Sequence, residues 1–205
     1  MSRVLDLSRQ SVAGLRLLLA LTVLLGLVYP AVLLGVGRLV PGRADGSMIA
    51  VDGRPSGSSL IGQQFGSDQD PSSQLPWFQP RPSAAGDGYD PQSSGASNLG
   101  PNNPDLVKTV EERRAAVAAR EGVDPAAVPA DAVTASASGL DPDVSPAYAQ
   151  LQVARVARER GLPVSQVEQL VRESTHGRDL GFIGEPTVDV VTLNAALARV
   201  GGPQG

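Results

Sequence analysis

The chain has 205 residues, 17 basic and 21 acidic side chains, one histidine and no cysteine, for a net charge of −4. The acidic balance argues against nucleic acid and anionic lipid as partners, and the missing thiols exclude a disulfide framework and a thiolate metal site. Aromatic residues make up only 3% of the chain, so its core has to be built largely from Ala, Val and Leu.

From Leu17 to Gly37 there are 21 consecutive uncharged residues, nine of them Leu and four Val. As a helix this run spans about 31 Å, close to the hydrocarbon thickness of a bilayer. Its Leu and Val residues favour insertion by about 5 kcal/mol before penalties for Pro30 and the glycines. The run is too long for a signal-peptide core, and Arg38-Leu39-Val40-Pro41 is a poor cleavage site, so an uncleaved anchor over 17–39 is expected. Arg3, Arg9 and Arg16 crowd its N-terminal flank, which predicts a short cytoplasmic N-terminus (1–16) and an exported domain over 40–205. Ala31 and Gly35 lie four apart in the anchor, a small-residue pair that lets another helix approach closely.

The expected domain has two textures. Residues 40–103 are rich in Gly, Pro, Ser and Asp, with short apolar runs at 59–62 and 75–78, and read as loops with a few short strands. Residues 104–200 read as mainly helical. Asn103 caps a helix with Pro104 at its first position and Gly122 as its stop; Ser145 and Pro146 start another that ends at Gly161. Ser165 is expected to open a third. Thr187 to Val191 reads as a strand, and Thr192 as the cap of a last helix. The fold class is α+β, one membrane helix followed by a single extracytoplasmic domain. Trp77, Phe78 and Tyr89 suit either a membrane interface or the core, and the core is the expectation.

No Gly-rich loop with Lys and Ser/Thr is present to cradle a phosphate, and His176 has no second His or Cys to join it. His176 is expected at a surface helix end. No catalytic, cofactor-binding or metal-ligating residue is assigned, and the chain does not read as an enzyme by itself.

Several unusual segments follow the anchor, which itself contains Tyr29-Pro30. They are Gly57 to Phe65 (GSSLIGQQF), Trp77 to Ala84 (WFQPRPSA), Ser94 to Pro104 (SGASNLGPNNP), Val128 to Pro142 (VPADAVTASASGLDP) and Gly184 to Asn194 (GEPTVDVVTLN). In this order along one chain they resemble the C subunit of the bacterial Kdp high-affinity potassium-transporting P-type ATPase. The resemblance implies a noncatalytic subunit working with a channel-like potassium-binding subunit and an ATP-hydrolysing subunit, with a small single-span subunit as a further candidate partner. It implies that ATP and the potassium ion are handled by the complex, with no cofactor bound tightly by this chain. It also brings the family's proposal of a catalytic chaperone that raises ATP affinity in the hydrolysing subunit. An exported domain could do that only by coupling through the complex. Stabilising the assembly or guarding the outer ion entrance suits the expected topology better. The alternative is a membrane-anchored extracytoplasmic binding module without a transport role.

Within these segments, Thr134, Ser136 and Ser138 share one face if the chain is extended, and Asp141 follows. Hard oxygen groups suit a transient potassium contact. Bracing the turn at Gly139 is the favoured role, since Ser and Thr beside Gly and Pro usually serve turns. Ser97, Asn98 and Asn102 sit in a polar loop that either presses on a partner subunit or merely leads into the helix at Pro104.

Overall fold

The computed structural model describes residues 2–201; Met1 and the expected C-terminal boundary at Gly205 lie outside them. The described residues form two compact units, one up to Ser47 and one from Met48. The first unit contains α1 (Ser2–Val23), a π-helical turn at Leu24–Val28 and α2 (Tyr29–Gly37). Pro30 explains the π turn, because its ring would collide with the carbonyl of Gly26 in a regular α-helix. Widening the turn moves that carbonyl aside, and the Tyr29 N–H then bonds the carbonyl of Leu24, five residues back. The stretch Asp6–Gly37, 32 residues with no part of its apolar window buried, is long and apolar enough to cross a membrane. At about 48 Å it exceeds the hydrocarbon layer. The helix thus runs on through the expected N-terminal segment and stops two residues before the expected end at Leu39. A short helix α3 (Pro41–Ala44) follows, and the Ser47 N–H bonds the Gly42 carbonyl at 2.8 Å.

The second unit opens with an antiparallel hairpin, β1 (Met48–Val51) and β2 (Arg54–Ser58), with Val51 opposite Arg54. Asp52 (φ 51°) and Gly53 (φ 76°) form its two-residue turn. Two left-handed residues match the twist of a hairpin, and Asp-Gly supplies them at low cost. The register slips after Ile49, which leaves Ser56 as an extra residue beside Pro55. Loops with one 3-10 turn at Pro71–Gln74 then lead to α4 (Pro104–Glu121).

Five further elements complete the unit after β3 (Asp143–Val144): α5 (Pro146–Arg160), α6 (Val164–Glu173), the strands β4 (Thr175–His176) and β5 (Thr187–Asp189), and α7 (Val190–Val200). The strands form one antiparallel sheet in the order β3-β5-β4. The mixed helix and sheet content agrees with the α+β reading. Asn103 and Ser145 cap α4 and α5 through their side chains, and Gly122 and Gly161 end them in the left-handed conformation, as their spacing predicts.

Three local readings change. Helix α6 begins at Val164, behind Pro163, so Ser165 lies inside its first turn and caps nothing. Asp189, not Thr192, caps α7: its carboxylate accepts from the Thr192 N–H at 2.7 Å, which ends β5 two residues early. His176 is exposed on β4 opposite Thr187, because α6 has already ended at Glu173.

The hydrophobic core packs α4, α5, α6 and α7 against β3 and β5. Its buried members are Ala, Val and Leu apart from Phe78 and Tyr148. Each fully buried Val or Leu contributes about 1.5–3 kcal/mol. Phe78 is buried in this cluster and Trp77 is partly buried against it, as expected, whereas Tyr89 is half-buried outside it.

Candidate functional site

The stretch from Leu75 to Pro82 contains Pro76, Pro80 and Pro82, which donate no backbone hydrogen bond and keep it out of a sheet. Side chains take the place of neighbouring strands. Asn194 on α7 accepts from the Phe78 N–H at 3.0 Å and donates to its carbonyl at 2.9 Å. Gln152 on α5 does the same for Gln79, at 2.7 and 3.0 Å. Arg155, one turn along α5, donates to the carbonyls of Leu75 and Trp77, to Gln152 at 2.9 Å and to Glu121 at 2.9 Å. The Arg155 and Glu121 side chains are 1% and 0% exposed, and Glu121 also accepts from Arg120 at 2.8 Å. Burial pushes the Arg155 pKa down, opposed by the Glu121 carboxylate. Arg160 bonds the Pro76 carbonyl at 3.0 Å and stacks on the Trp77 ring at 4.1 Å. None of these polar roles was singled out from the sequence. The signal was the clustering of prolines beside Trp77-Phe78-Gln79, which leaves backbone groups that something else must satisfy.

The same segment continues into the residues that sequence patterning selected. Arg81 donates to Asp141 at 3.0 Å and to the carbonyls of Thr134 and Ala135 at 3.4 and 3.5 Å. Asp141 also accepts from the Asp143 N–H at 3.0 Å. The Tyr89 hydroxyl donates to the Arg81 carbonyl at 2.7 Å, and burial pushes the Tyr89 pKa up. Gly139 (φ 67°) passes so close to Ala85 that an added Cβ would lie 2.7 Å from the Ala85 nitrogen. Ser83 clips this approach by donating to the Gly139 carbonyl at 2.7 Å.

The hydroxyls around that turn do not line one face. Thr134 turns back to the Ala130 carbonyl at 2.8 Å. The Ser136 and Ser138 hydroxyls are 3.4 Å apart, and Ser138 accepts from the Leu140 N–H at 3.1 Å. Asp141 and the carbonyls of Thr134, Ala135, Ser138 and Gly139 form one brace that joins residues 134–143 to 81–95, while the Thr134, Ser136 and Ser138 hydroxyls bond within their own segment. Ser97, Asn98 and Asn102 lie outside it and are exposed. Asn98 takes a left-handed conformation (φ 51°) and bonds the Ala96 carbonyl at 3.2 Å. Ala31 and Gly35 belong to the first unit. Both are exposed on α2, and a Cβ on Gly35 would meet nothing within 4 Å.

A cleft of about 550 Å³ opens beside the brace, with Arg81, Arg113, Arg120, Tyr89 and Tyr148 among its lining. Arg113 bonds the Val133 carbonyl at 3.2 Å, and burial lowers its pKa. On another side of the unit Asp143 faces Asp189 across the β3-β5 pair, with His176 near both. Burial raises the pKa of each carboxylate, and Asp141 and Asp189 raise that of Asp143 further. Among the described residues no group of three His, Cys, Asp or Glu side chains is arranged to hold a metal ion.

The family described as KdpC, K+-transporting ATPase, c chain, matches residues 11–199. The chain belongs to the KdpC family. A Kineococcus radiotolerans protein named potassium-transporting ATPase KdpC subunit is 62% identical over 192 residues, covering 94% of each chain. Proteins of the same name from Beijerinckia indica and Streptomyces coelicolor are 50% and 48% identical, covering 88% of each chain and 96% and 95% respectively. The KdpC match begins within α1 and ends within α7, so it takes in both units and every segment on which the resemblance rests.

Proposed function

We propose that this chain is a noncatalytic subunit of an ATP-driven high-affinity potassium importer of the bacterial cell membrane. Its single apolar helix leaves the N-terminus in the cytoplasm, and the folded unit sits outside, where it stabilises the assembly. The partners are a channel-like potassium-binding subunit and an ATP-hydrolysing subunit, with a small single-span subunit as a further candidate. ATP and potassium are bound by the complex. One observation carries this reading: the polar groups with the best claim to chemistry are spent on bracing. Thr134, Ser138, Asp141 and Arg81 all hold backbone or each other. A rigid, internally satisfied body on a membrane helix suits positioning and assembly. Any effect on ATP affinity then acts by coupling between subunits rather than through a nucleotide site here.

The cleft lined by Arg81, Arg113 and Arg120, with Asp68 and Asp87, favours a second reading, an anchored module that binds a polar ligand outside the cell. Two measurements separate the readings. With no native cysteine in the chain, one placed at the exposed Ala137 should react with a membrane-impermeant maleimide added to intact spheroplasts. In mild detergent the chain should co-purify with multi-span subunits. Labelling only after lysis refutes the orientation, and a lone monomer refutes the subunit role.

A further inference from the structure

Ten consecutive residues, 176–185, are exposed between β4 and β5. At their tip Leu180, Phe182 and Ile183 are 83%, 72% and 50% exposed, beyond the scattered apolar surface that a soluble domain carries by default. This tip is a miniature hairpin: Asp179 and Ile183 exchange two backbone hydrogen bonds of 2.9 Å. Leu180 (φ 52°) and Gly181 (φ 82°) make the turn, so a leucine occupies a conformation that favours glycine. Arg178 and Glu185 close the base of the loop with an ion pair of 2.6 Å. An exposed apolar cluster, a backbone set against its local preference and a tied base together describe a shape kept for recognition.

The charges around the tip select the partner. Glu185 offsets the charge of Arg178, which leaves Asp179, Asp143 and Asp189 as the acidic groups lining one cavity beside the tip, with His176. An acidic collar repels an anionic lipid surface and complements a basic protein rim. The geometry points to the 178–185 hairpin as a docking knob: Leu180, Phe182 and Ile183 enter an apolar socket rimmed by Lys or Arg on another subunit of the transport complex. This rests on the subunit reading above and names the surface that serves it. Three adjacent apolar side chains on a rigid turn have the character of an interface anchor, with the collar fixing approach and register.

The test uses the full chain co-expressed with the other subunits of its complex. The double variant Leu180→Ser with Phe182→Ser should keep the wild-type melting temperature, because both side chains are exposed. Its recovery in the complex in mild detergent should fall about tenfold or more. Charge reversal by Asp179→Lys, which leaves the Arg178–Glu185 pair in place, should weaken recovery less and make it less salt-dependent. With p-benzoylphenylalanine in place of Phe182, irradiation should give an adduct with another subunit. Wild-type recovery of the double variant overturns the knob, as does an adduct only with lipid, only with a second copy of this chain, or with nothing. Failure of the unaltered chain to co-purify removes the subunit reading itself, and the knob with it.

Discussion

Asn194 holds both backbone polar groups of Phe78, 116 residues earlier in the chain, with one carboxamide. Both residues are buried, Asn194 at 1% and Phe78 at 0% exposure, so no solvent stands ready to replace either bond. Replacing Asn194 by Ala leaves a buried N–H and a buried carbonyl unsatisfied, each worth about 1–3 kcal/mol. The loss of stability should be about 3 kcal/mol. Asn194→Asp keeps the shape but loses the donor and buries a charge, so it should also destabilise. Urea unfolding followed through Trp77, the single tryptophan, reads both, and an unchanged midpoint in the alanine variant would contradict this account.

Arg155→Met should cost more. The substitution strands Glu121, whose side chain is fully buried, with Arg120 as its remaining ion-pair partner, and removes the donor to the Leu75 and Trp77 carbonyls. Breaking a buried pair costs about 3–5 kcal/mol. For a unit of this size the melting temperature should fall by about 10 °C. Arg155→Lys should not restore it, since an ammonium cannot span four acceptors in the plane of a guanidinium. Adding Glu121→Gln to Arg155→Met should recover part of the loss; strict additivity of the two costs would rule out the coupling.

How much of this was legible in the sequence follows from the range of the forces involved. The ends of α4 and α5 are set within a few residues by Asn103-Pro104, Gly122, Ser145-Pro146 and Gly161, and they fall where those residues place them. The hairpin at Asp52-Gly53 was not anticipated beyond a general expectation of short strands, although its turn dipeptide is a local signal. Asp189 was less accessible, because a capping carboxylate and the end of a strand compete for the same position and the antiparallel sheet decides between them. The Phe78–Asn194 and Gln79–Gln152 bonds were beyond reach. Each joins positions more than 70 residues apart, and only the tertiary fold brings them together. For the same reason Thr134, Ser136 and Ser138 look like a face when the chain is imagined extended. The folded segment instead sends Thr134 back to the Ala130 carbonyl and sets Ser136 beside Ser138.

Stability should depend on the sheet carboxylates with a defined sign. Asp143 and Asp189 face each other across the sheet, and burial raises both pKa values above the ordinary carboxylate value of 3.8. The folded chain then holds protons that the unfolded chain has released, so these groups favour folding most in acid. Their contribution is lost as pH rises from 3.8 through the raised values. Asp143→Asn removes one of two like charges placed opposite each other, worth about 0.2–1 kcal/mol, and leaves the Asp189 cap on α7 intact. The variant should be the more stable protein at neutral pH and lose the advantage below the carboxylate range. An equal difference at every pH would exclude this origin.

The chain from Met48 onward should fold without the helix. Its core draws on residues from Phe65 onward, its helix caps are its own, and the division at Ser47 leaves the β1-β2 hairpin whole. The fragment should be soluble and monomeric and show one cooperative unfolding transition. Because it lacks Ala31 and Gly35, it should fail to restore potassium uptake in cells that lack the full chain. It should also bind ATP weakly or not at all. It carries 12 basic and 19 acidic residues, a net charge of −7 that repels a polyanion, and it has no phosphate-cradling loop. The cleft beside Arg113 is the place where this expectation is most exposed, since three arginines line it. Titration calorimetry with ATP on the fragment, repeated with Arg113→Ala, separates the cases. Tight binding that Arg113→Ala abolishes would assign the cleft to nucleotide and overturn an assembly role acting only through contacts between subunits. Absence of heat in both, together with loss of uptake, is the result expected of a body whose polar groups serve its own architecture.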